Sequence, residues 1–546
     1  MDRVQGRLLA ALAILFLVVL GLTLHASAVS GWWLNDDPAL LVEAIREPAP
    51  SVLFNPSEYE HLSTLTFQPL LLLSFKADLL LHGLDPRLFY AHQVAALIAG
   101  AILLFLLLRR YVRDLYAAVG AGVFLASWVS IYAARTLMIR HYVEGLVFAL
   151  GALLAWSYGR RWIVAGSVLY LLAMLSKEVY APIPLLLICQ ERAAGRSWRE
   201  IARELVAPSI AAAVFLVWRW TMTGLTGGYA SAALGGGAPR FGRAFWNGIT
   251  GNAPPWAQIV WGLAIAMALG AFLVRTRLRG AAFLAATAIV IALPLVPLIH
   301  RFDVRYDFAL MAFGLGALTI AAGMSRFRWA VLIPIALLVT TVIDAVPQRR
   351  NYETAVRLGM AQEGRYVWTE PPGAPTLFAT SPGWYLGSLA WLRQYDHRGS
   401  APPFVFSKYA ITADDVDPGR AVAIGPSGAP APLTSTSIFG TPAEWQRARA
   451  KRDPNAPLSV DFSLRNHDAR WNLGPPGGRF VFLSVPGYSA ISIPAAGAQR
   501  VPIARERQYF RIVREAEDGS WTVSPRFPVP LEGGSLTWSR GGLIPH

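Results

Sequence analysis

The first 350 residues are built mostly from apolar runs long enough to cross a bilayer, and very few folds accommodate such a pattern. A spanning helix needs about 20 predominantly apolar residues. About eleven runs qualify, near residues 8–29, 90–108, 115–134, 143–158, 162–176, 179–190, 204–222, 256–274, 280–299, 306–324 and 329–346. In hydrocarbon each backbone polar group must be satisfied within its own segment, so these runs are expected to be helices of an all-α membrane bundle. Pro182 and Pro184 interrupt the sixth run. Composition agrees, with 54% hydrophobic residues and only 15% charged. The single cysteine, Cys189, excludes an intramolecular disulfide and a cysteine-built zinc site.

A net charge of +15 in a soluble chain would suggest nucleic-acid binding. Its distribution argues otherwise. Up to residue 350 there are 29 basic and 18 acidic residues, and after it 20 and 16, so most of the excess lies in the apolar part. Within that part the arginines fall in alternate loops: Arg3/Arg7, Arg109/Arg110/Arg113, Arg160/Arg161, Arg192/Arg196/Arg199/Arg203, Arg275/Arg277/Arg279 and Arg326/Arg328. Positive loops stay cytoplasmic. The charge is therefore a topology signal, no nucleic-acid partner is expected, and an odd number of spans places the N-terminus in the cytoplasm and the residues after about 347 outside. The location that follows is a bacterial-type inner membrane, crossed many times, with a periplasmic C-terminal domain. The first run with Ala26-Ser27-Ala28 also fits a cleavable signal, but its length favours a retained anchor.

Ionisable residues near lipid are costly and usually functional, so the outer loops carry most of the information. Asn35-Asp36-Asp37-Pro38 follows the first span. Its adjacent carboxylates suit a general base or a metal site, or else an Asx turn and helix N-cap with Pro38 in the first turn. No third ligand is evident, so no metal or other cofactor is assigned, although a divalent ion at the pair is compatible with the carboxylates. Arg135, Arg140 and His141, between spans three and four, would bind a phosphate or snorkel to headgroups. Lys177-Glu178 lies between spans five and six. Only four lysines accompany 45 arginines, and Lys76 and Lys177, the two in the apolar half, both fall in outer segments. Arg301 and Arg305, four apart before the tenth span, would clamp an anion, or would pair with Asp303 or Asp307. The stretch 39–88 is too polar to span and too apolar for a free loop, which predicts helices lying along the outer membrane surface. Trp32 and Trp33 suit sugar stacking or an interfacial aromatic belt.

In order along the chain, Asn35-Asp36-Asp37, Phe67-Gln68-Pro69 running to Lys76, Gly83-Leu84-Asp85-Pro86, Phe89-Tyr90-Ala91-His92-Gln93, Leu175-Ser176-Lys177-Glu178 and Arg305-Tyr306 resemble the GT-C superfamily of membrane glycosyltransferases, especially its protein O-mannosyltransferase-like branch. The resemblance covers roughly residues 30 to 325. It implies a polyprenyl-phosphate sugar donor, a protein, lipid or glycan acceptor, and inversion at the anomeric carbon. It further implies that Asp36 or Asp37 acts as base and that Lys177, Arg301 and Arg305 stabilise the leaving lipid phosphate, with Arg135, Arg140 and His141 as further phosphate candidates and Glu178, Tyr306, Gln68 and Lys76 in support. Two departures stand out. No repeat with a period near 34 residues follows, and Gln68 precedes Pro69 where that branch would carry arginine. Rival readings are a lipid-linked glycan flippase or transporter, and an inactive GT-C-like assembly protein that works through its outer domain.

The chain is expected to divide into a transmembrane domain at 1–350 and an outer domain at 351–546. In the second, residues 375–379 and 383–395 read as a strand and a helix. Short alternating segments at 479–485, 491–494, 509–514 and 521–523, with a turn at 515–519, predict a β-sandwich-like fold from about residue 458.

Overall fold

The computed structural model of the chain describes residues 3–62, 67–224, 246, 255–294, 304–325, 331–352, 358–370, 376–378, 381, 383–400, 404–405, 422–424, 430–432, 447, 449–465, 468–474, 477–485, 490–500, 508–531 and 533–540. They form two compact units. One comprises Met1–Gly31, Val52–Phe54 and Leu65–Glu353, and the other Trp32–Ser51, Asn55–Thr64 and Thr354–His546.

The first unit is helical. Its elements are α1 (Arg3–His25), α5 (Pro69–His82), α6 (Pro86–Leu108), α7 (Asp114–Ala126), α8 (Trp128–Ala134), α9 (Arg140–Ser157), α10 (Ile163–Ser176), α11 (Pro184–Ala193), α12 (Trp198–Glu204), α13 (Val206–Thr223), α14 (Pro255–Thr276), α15 (Leu278–Ala292), α16 (Asp307–Met324) and α17 (Leu332–Tyr352). Between α1 and α5 the chain forms α2 (Asp37–Arg46), α3 (Ala49–Phe54) and α4 (Pro56–Leu62). The stretch 39–88 is thus a series of short helices.

Among the described residues seven helices are long and apolar enough to cross a membrane, or eight if the bent pair α7–α8 is one span. The expected number was about eleven. Among the described residues the other three runs, α10, α11 and α15, form helices of 14, 10 and 15 residues. At about 1.5 Å per residue these rise about 15–23 Å, less than the roughly 30 Å hydrocarbon core. The prolines at 182 and 184 account for α11, which starts only at Pro184. At the α7–α8 bend of 59° Ser127 leaves helical geometry, and its hydroxyl accepts the Ser130 N–H at 3.4 Å. Helix contacts depend on small residues, as membrane packing requires. A Cβ at Gly120 of α7 would lie 2.3 Å from Thr319 Oγ1 of α16.

In the second unit α18 (Leu358–Thr369) and α19 (Gly383–Tyr395) accompany a small sheet of order β2-β1-β3-β4. Its strands are β1 (Thr376–Leu377), β2 (Phe404–Val405), β3 (Val422–Ile424) and β4 (Pro430–Pro432), with β4 antiparallel to β3. From Leu458 onward two antiparallel sheets stack as a sandwich. One pairs β13 (Ser535–Arg540), β5 (Leu458–Arg465), β6 (Asp468–Asn472) and β9 (Ala496–Arg500). The other pairs β11 (Trp521–Val523), β10 (Tyr509–Glu515), β7 (Arg479–Val485) and β8 (Ala490–Ile493), with β12 (Phe527–Pro528) on β10. Period-two alternation turns Leu458, Val460, Phe462 and Leu464 of β5 into the core, where they meet Phe480, Phe510 and Ile512 of the opposite sheet. Phe510 stacks on Phe482 at 5.1 Å and packs on Phe462 at 5.2 Å. The β10–β11 hairpin turns at Gly519, with φ of 76°, as the run 515–519 predicts.

Candidate active site

In the helical unit α10 ends at Ser176. Lys177 leaves the helix in extended geometry, its N–H still donating to the Ala173 carbonyl at 2.8 Å, and a single 3₁₀ turn, Glu178–Tyr180, follows. Two tyrosines fasten this reversal. The Tyr170 hydroxyl donates to the Ala181 carbonyl and the Tyr180 hydroxyl to the Tyr142 carbonyl of α9, both at 2.5 Å. Gly145 on α9 makes room for the Tyr180 ring, since a Cβ there would fall 2.5 Å from Cε2. The turn therefore holds Lys177 in one place, 4% exposed, with Nζ 3.8 Å from Glu178 Oε1 and 5.4 Å above the Tyr142 ring.

Around that ammonium stand further cations. Burial is the largest influence on Lys177 and lowers its pKa. Glu178 opposes this, while Arg305 and Arg219 lower the pKa further, so the net shift is below the ordinary lysine value. His141, buried at the start of α9, lies in the field of both Lys177 and Arg305. Arg305 belongs to the 3₁₀ turn Val304–Tyr306 ahead of α16, with its guanidinium 5.5 Å from the ring of the buried Tyr306. Three chain reversals and the end of α13 thus bring Lys177, Arg305, Arg219 and His141 to one region. Arg301 lies outside the described residues.

Sequence reading missed Arg219. The signal was there: it is the only charged residue of α13, flanked by Trp218 and Trp220. Trp218 anchors it, donating from Nε1 to the Leu53 carbonyl at 2.7 Å, stacking on Phe54 at 5.5 Å and touching Phe67 at 6.0 Å.

Two candidate phosphate ligands sit elsewhere. Arg140, fully buried, meets Asp78 Oδ2 at 2.5 Å, the Phe89 carbonyl at 2.8 Å and Ser74 Oγ at 3.3 Å, with Phe75 and Phe89 against its guanidinium. Asp78 also takes His92 Nδ1 at 2.8 Å, and Glu144 accepts from Ser74 Oγ at 2.5 Å with His92 Nε2 at 3.5 Å. Arg135, also fully buried, donates to the Leu24 carbonyl at 3.2 Å and to Ser27 Oγ at 2.8 Å, holding the end of α1. Lys76 is half-buried on α5, and Gln68 is the residue before its first turn.

Asp36 and Asp37 belong to the second unit, where their environments differ. Asp37 is fully buried at the start of α2 and its Oδ2 accepts the Leu34 N–H at 2.8 Å, with Pro38 in the first turn. Asp36, one residue earlier, is exposed. Asn35 before them adopts the left-handed region at φ 48°, which asparagine tolerates better than most residues, and its N–H points to Met360 Sδ at 3.2 Å. The tryptophans pack inside this unit. Trp33 is buried with its carbonyl accepting from Tyr385 at 2.7 Å, and Trp32 meets Trp368 edge-on at 6.1 Å. Among the described residues no group of three or more His, Cys, Asp or Glu side chains converges to hold a metal ion.

Fold and site together define an integral membrane protein whose helical unit gathers a cation group around the buried Lys177 and whose C-terminal part is a sheet domain. Among solved structures the chain is similar to ArnT from Cupriavidus metallidurans, crystallised bound to undecaprenyl phosphate. Identity is 14%, the match covers 76% of this chain and 93% of that one, and the TM-score is 0.46. No family model and no curated protein matches the sequence.

Proposed function

We propose that this chain is a GT-C-type glycosyltransferase that moves a sugar from a polyprenyl phosphate to an acceptor hydroxyl at the outer membrane face. One observation carries the reading. Lys177 lies in the fields of both Arg305 and Arg219, and such a group favours an anion. Neighbouring like charges repel one another, a repulsion relieved by an added counter-charge. A lipid phosphate entering from the bilayer would supply it, making charge-assisted hydrogen bonds with the guanidiniums and the ammonium.

In the proposed reaction the acceptor oxygen attacks the anomeric carbon and its proton passes to Asp36. The bond from that carbon to the phosphate oxygen breaks, the electron pair leaves with the lipid phosphate, and Lys177, Arg305 and Arg219 stabilise the charge that develops. A single displacement inverts the centre. Asp36 suits the base better than Asp37, because Asp36 is exposed whereas Asp37 is buried with an oxygen committed to the Leu34 N–H.

Asp36→Asn and Asp37→Asn, each reconstituted in proteoliposomes with a labelled polyprenyl-phosphate sugar, separate these roles. Loss of a positioned base is expected to slow transfer about 10²- to 10⁴-fold in Asp36→Asn while donor binding persists. Undiminished transfer in Asp36→Asn would remove it from the mechanism.

A further inference from the structure

The helical unit contains a second feature that the proposed chemistry does not use, a cavity of about 820 Å³ among α6, α9, α11, α14, α15 and α16. That is toward the upper end of the usual range for ligand pockets, about 300–1,000 Å³. Its walls are aliphatic and aromatic, as at Leu104, Leu150, Phe283 and Phe313, and its charged lining residues are Arg192, Arg275 and Arg279, with no carboxylate among them. Arg192 and Arg275 sit in the last turns of α11 and α14 and Arg279 in the first turn of α15, in the loops whose arginines the charge pattern assigns to the cytoplasm. Arg192 stacks on Trp198 at 4.9 Å and commits one Nη to the Arg196 carbonyl at 2.8 Å, and Arg275 commits one to the Met324 carbonyl at 2.5 Å. A guanidinium has five N–H donors, so these contacts position the arginines and leave capacity for an anion.

Depth decides what kind of anion. Along α16 the lining runs from Met324 to Ala312, about 18 Å at 1.5 Å per residue. That is close to half of a hydrocarbon core about 30 Å thick. A space of one leaflet's depth, apolar inside and cationic at its mouth, matches an amphiphile whose chains end at the bilayer midplane.

We infer that this cavity binds an anionic diacyl phospholipid of the cytoplasmic leaflet, with its phosphate at Arg192, Arg275 and Arg279 and its acyl chains against α6, α9 and α16. The anionic lipids of that leaflet and juxtamembrane arginines attract each other there in any case. The cavity turns a diffuse attraction into a seat for one molecule. This site is separate from the Lys177 group and does not rest on the proposed transfer reaction.

The full chain, delipidated in mild detergent and returned to mixed micelles containing either phosphatidylglycerol or phosphatidylcholine, tests this by native mass spectrometry and thermal stability. Phosphatidylglycerol is expected to be retained about tenfold or more over phosphatidylcholine and to raise the unfolding temperature. Arg192→Gln and Arg279→Gln should each weaken retention about fivefold. Ala282→Trp, which fills the cavity wall with every arginine present, should abolish it. Because the arginine variants lie at exposed or half-exposed positions, they keep the test sound if the tryptophan variant fails to fold. Equal retention of both phospholipids would overturn the inference. So would full stabilisation by glycerol phosphate alone, or exclusion of phosphatidylglycerol by a polyprenyl phosphate at the same arginines.

Discussion

Arg140 looks like a phosphate ligand in the sequence and like a structural cation in the fold, and its ion pair decides between the two. The Asp78 and Arg140 side chains are 4% and 0% exposed, so solvent screens neither. Asp78→Ala leaves a buried guanidinium facing the Phe89 carbonyl and Ser74 without its carboxylate, and the expected loss is about 3–5 kcal/mol. Arg140→Met should cost less, because His92 remains hydrogen-bonded to Asp78 at 2.8 Å. The double variant Asp78→Leu/Arg140→Met should recover most of the loss, since replacing a whole buried pair with apolar groups is often near neutral. Denaturant titration of the full chain in mixed micelles measures all three. Acid adds a second reading. Burial pushes the Asp78 carboxyl up, but the His92 hydrogen bond and the Arg140 charge outweigh it and hold it below the ordinary 3.8. A depressed carboxyl contributes stability that is complete above its ordinary value and is lost as pH falls through its folded value. The wild type should therefore lose stability below about pH 4 more steeply than the double variant. A double variant as unstable as Asp78→Ala would refute the pairing argument. A folded double variant that no longer binds a polyprenyl phosphate would restore Arg140 to the donor site.

Four further outcomes follow from the same structure. Lys177→Ala is expected to reduce transfer about 10²- to 10³-fold. In the wild type, donor binding should weaken as pH rises through the lowered Lys177 pKa, below the ordinary 10.5, while the empty protein gains stability over that interval; in Lys177→Arg the alkaline limb should move upward, as binding-versus-pH curves would show. Gly145→Leu should push the Tyr180 ring from its place, cost about 1–3 kcal/mol and raise KM for the donor by displacing the lysine turn, which thermal unfolding and steady-state kinetics report separately. Phe510→Ala, which empties the centre of the sandwich, should cost about 3–5 kcal/mol and open residues 458–540 to limited proteolysis.

What could be read in the sequence followed periodicity, and what could not depended on contacts across the chain. The strands 479–485, 509–515 and 521–523 were legible because alternation of apolar residues with a period of two is a local pattern. The sandwich class was legible as well, but the strand pairing was not, since β5 and β13 join residues some 75 positions apart. Apolar runs likewise announced the helices, and the run 162–176 agrees with α10 to within one residue, but a run's hydropathy alone does not show whether a helix of 14 residues crosses the bilayer. The lysine turn itself was visible as a charged break. Its fastening by Tyr170, Tyr180 and Gly145 was not, for each residue is unremarkable in its own segment. Arg140 and Asp78, 62 positions apart, show the same limit: Arg140 read as a phosphate or headgroup ligand, and nothing local to either residue announces their pairing.

The cations of the helical unit therefore fall into kinds distinguished by what surrounds them rather than by where they lie in sequence. Arg140 faces a carboxylate and Arg135 faces a carbonyl and a hydroxyl, and both arrangements tie one helix to another. Lys177 faces one carboxylate at 3.8 Å and lies in the fields of two arginines. A neutral buried pair is complete without a ligand, whereas cations gathered side by side are stabilised when an anion binds among them. That difference predicts where a lipid phosphate should change stability. Donor lipid should stabilise the wild type by mass action, should stabilise Lys177→Ala much less, and should stabilise Asp78→Leu/Arg140→Met as fully as the wild type. An equal donor-induced shift in wild type and Lys177→Ala would separate the Lys177 group from phosphate binding altogether.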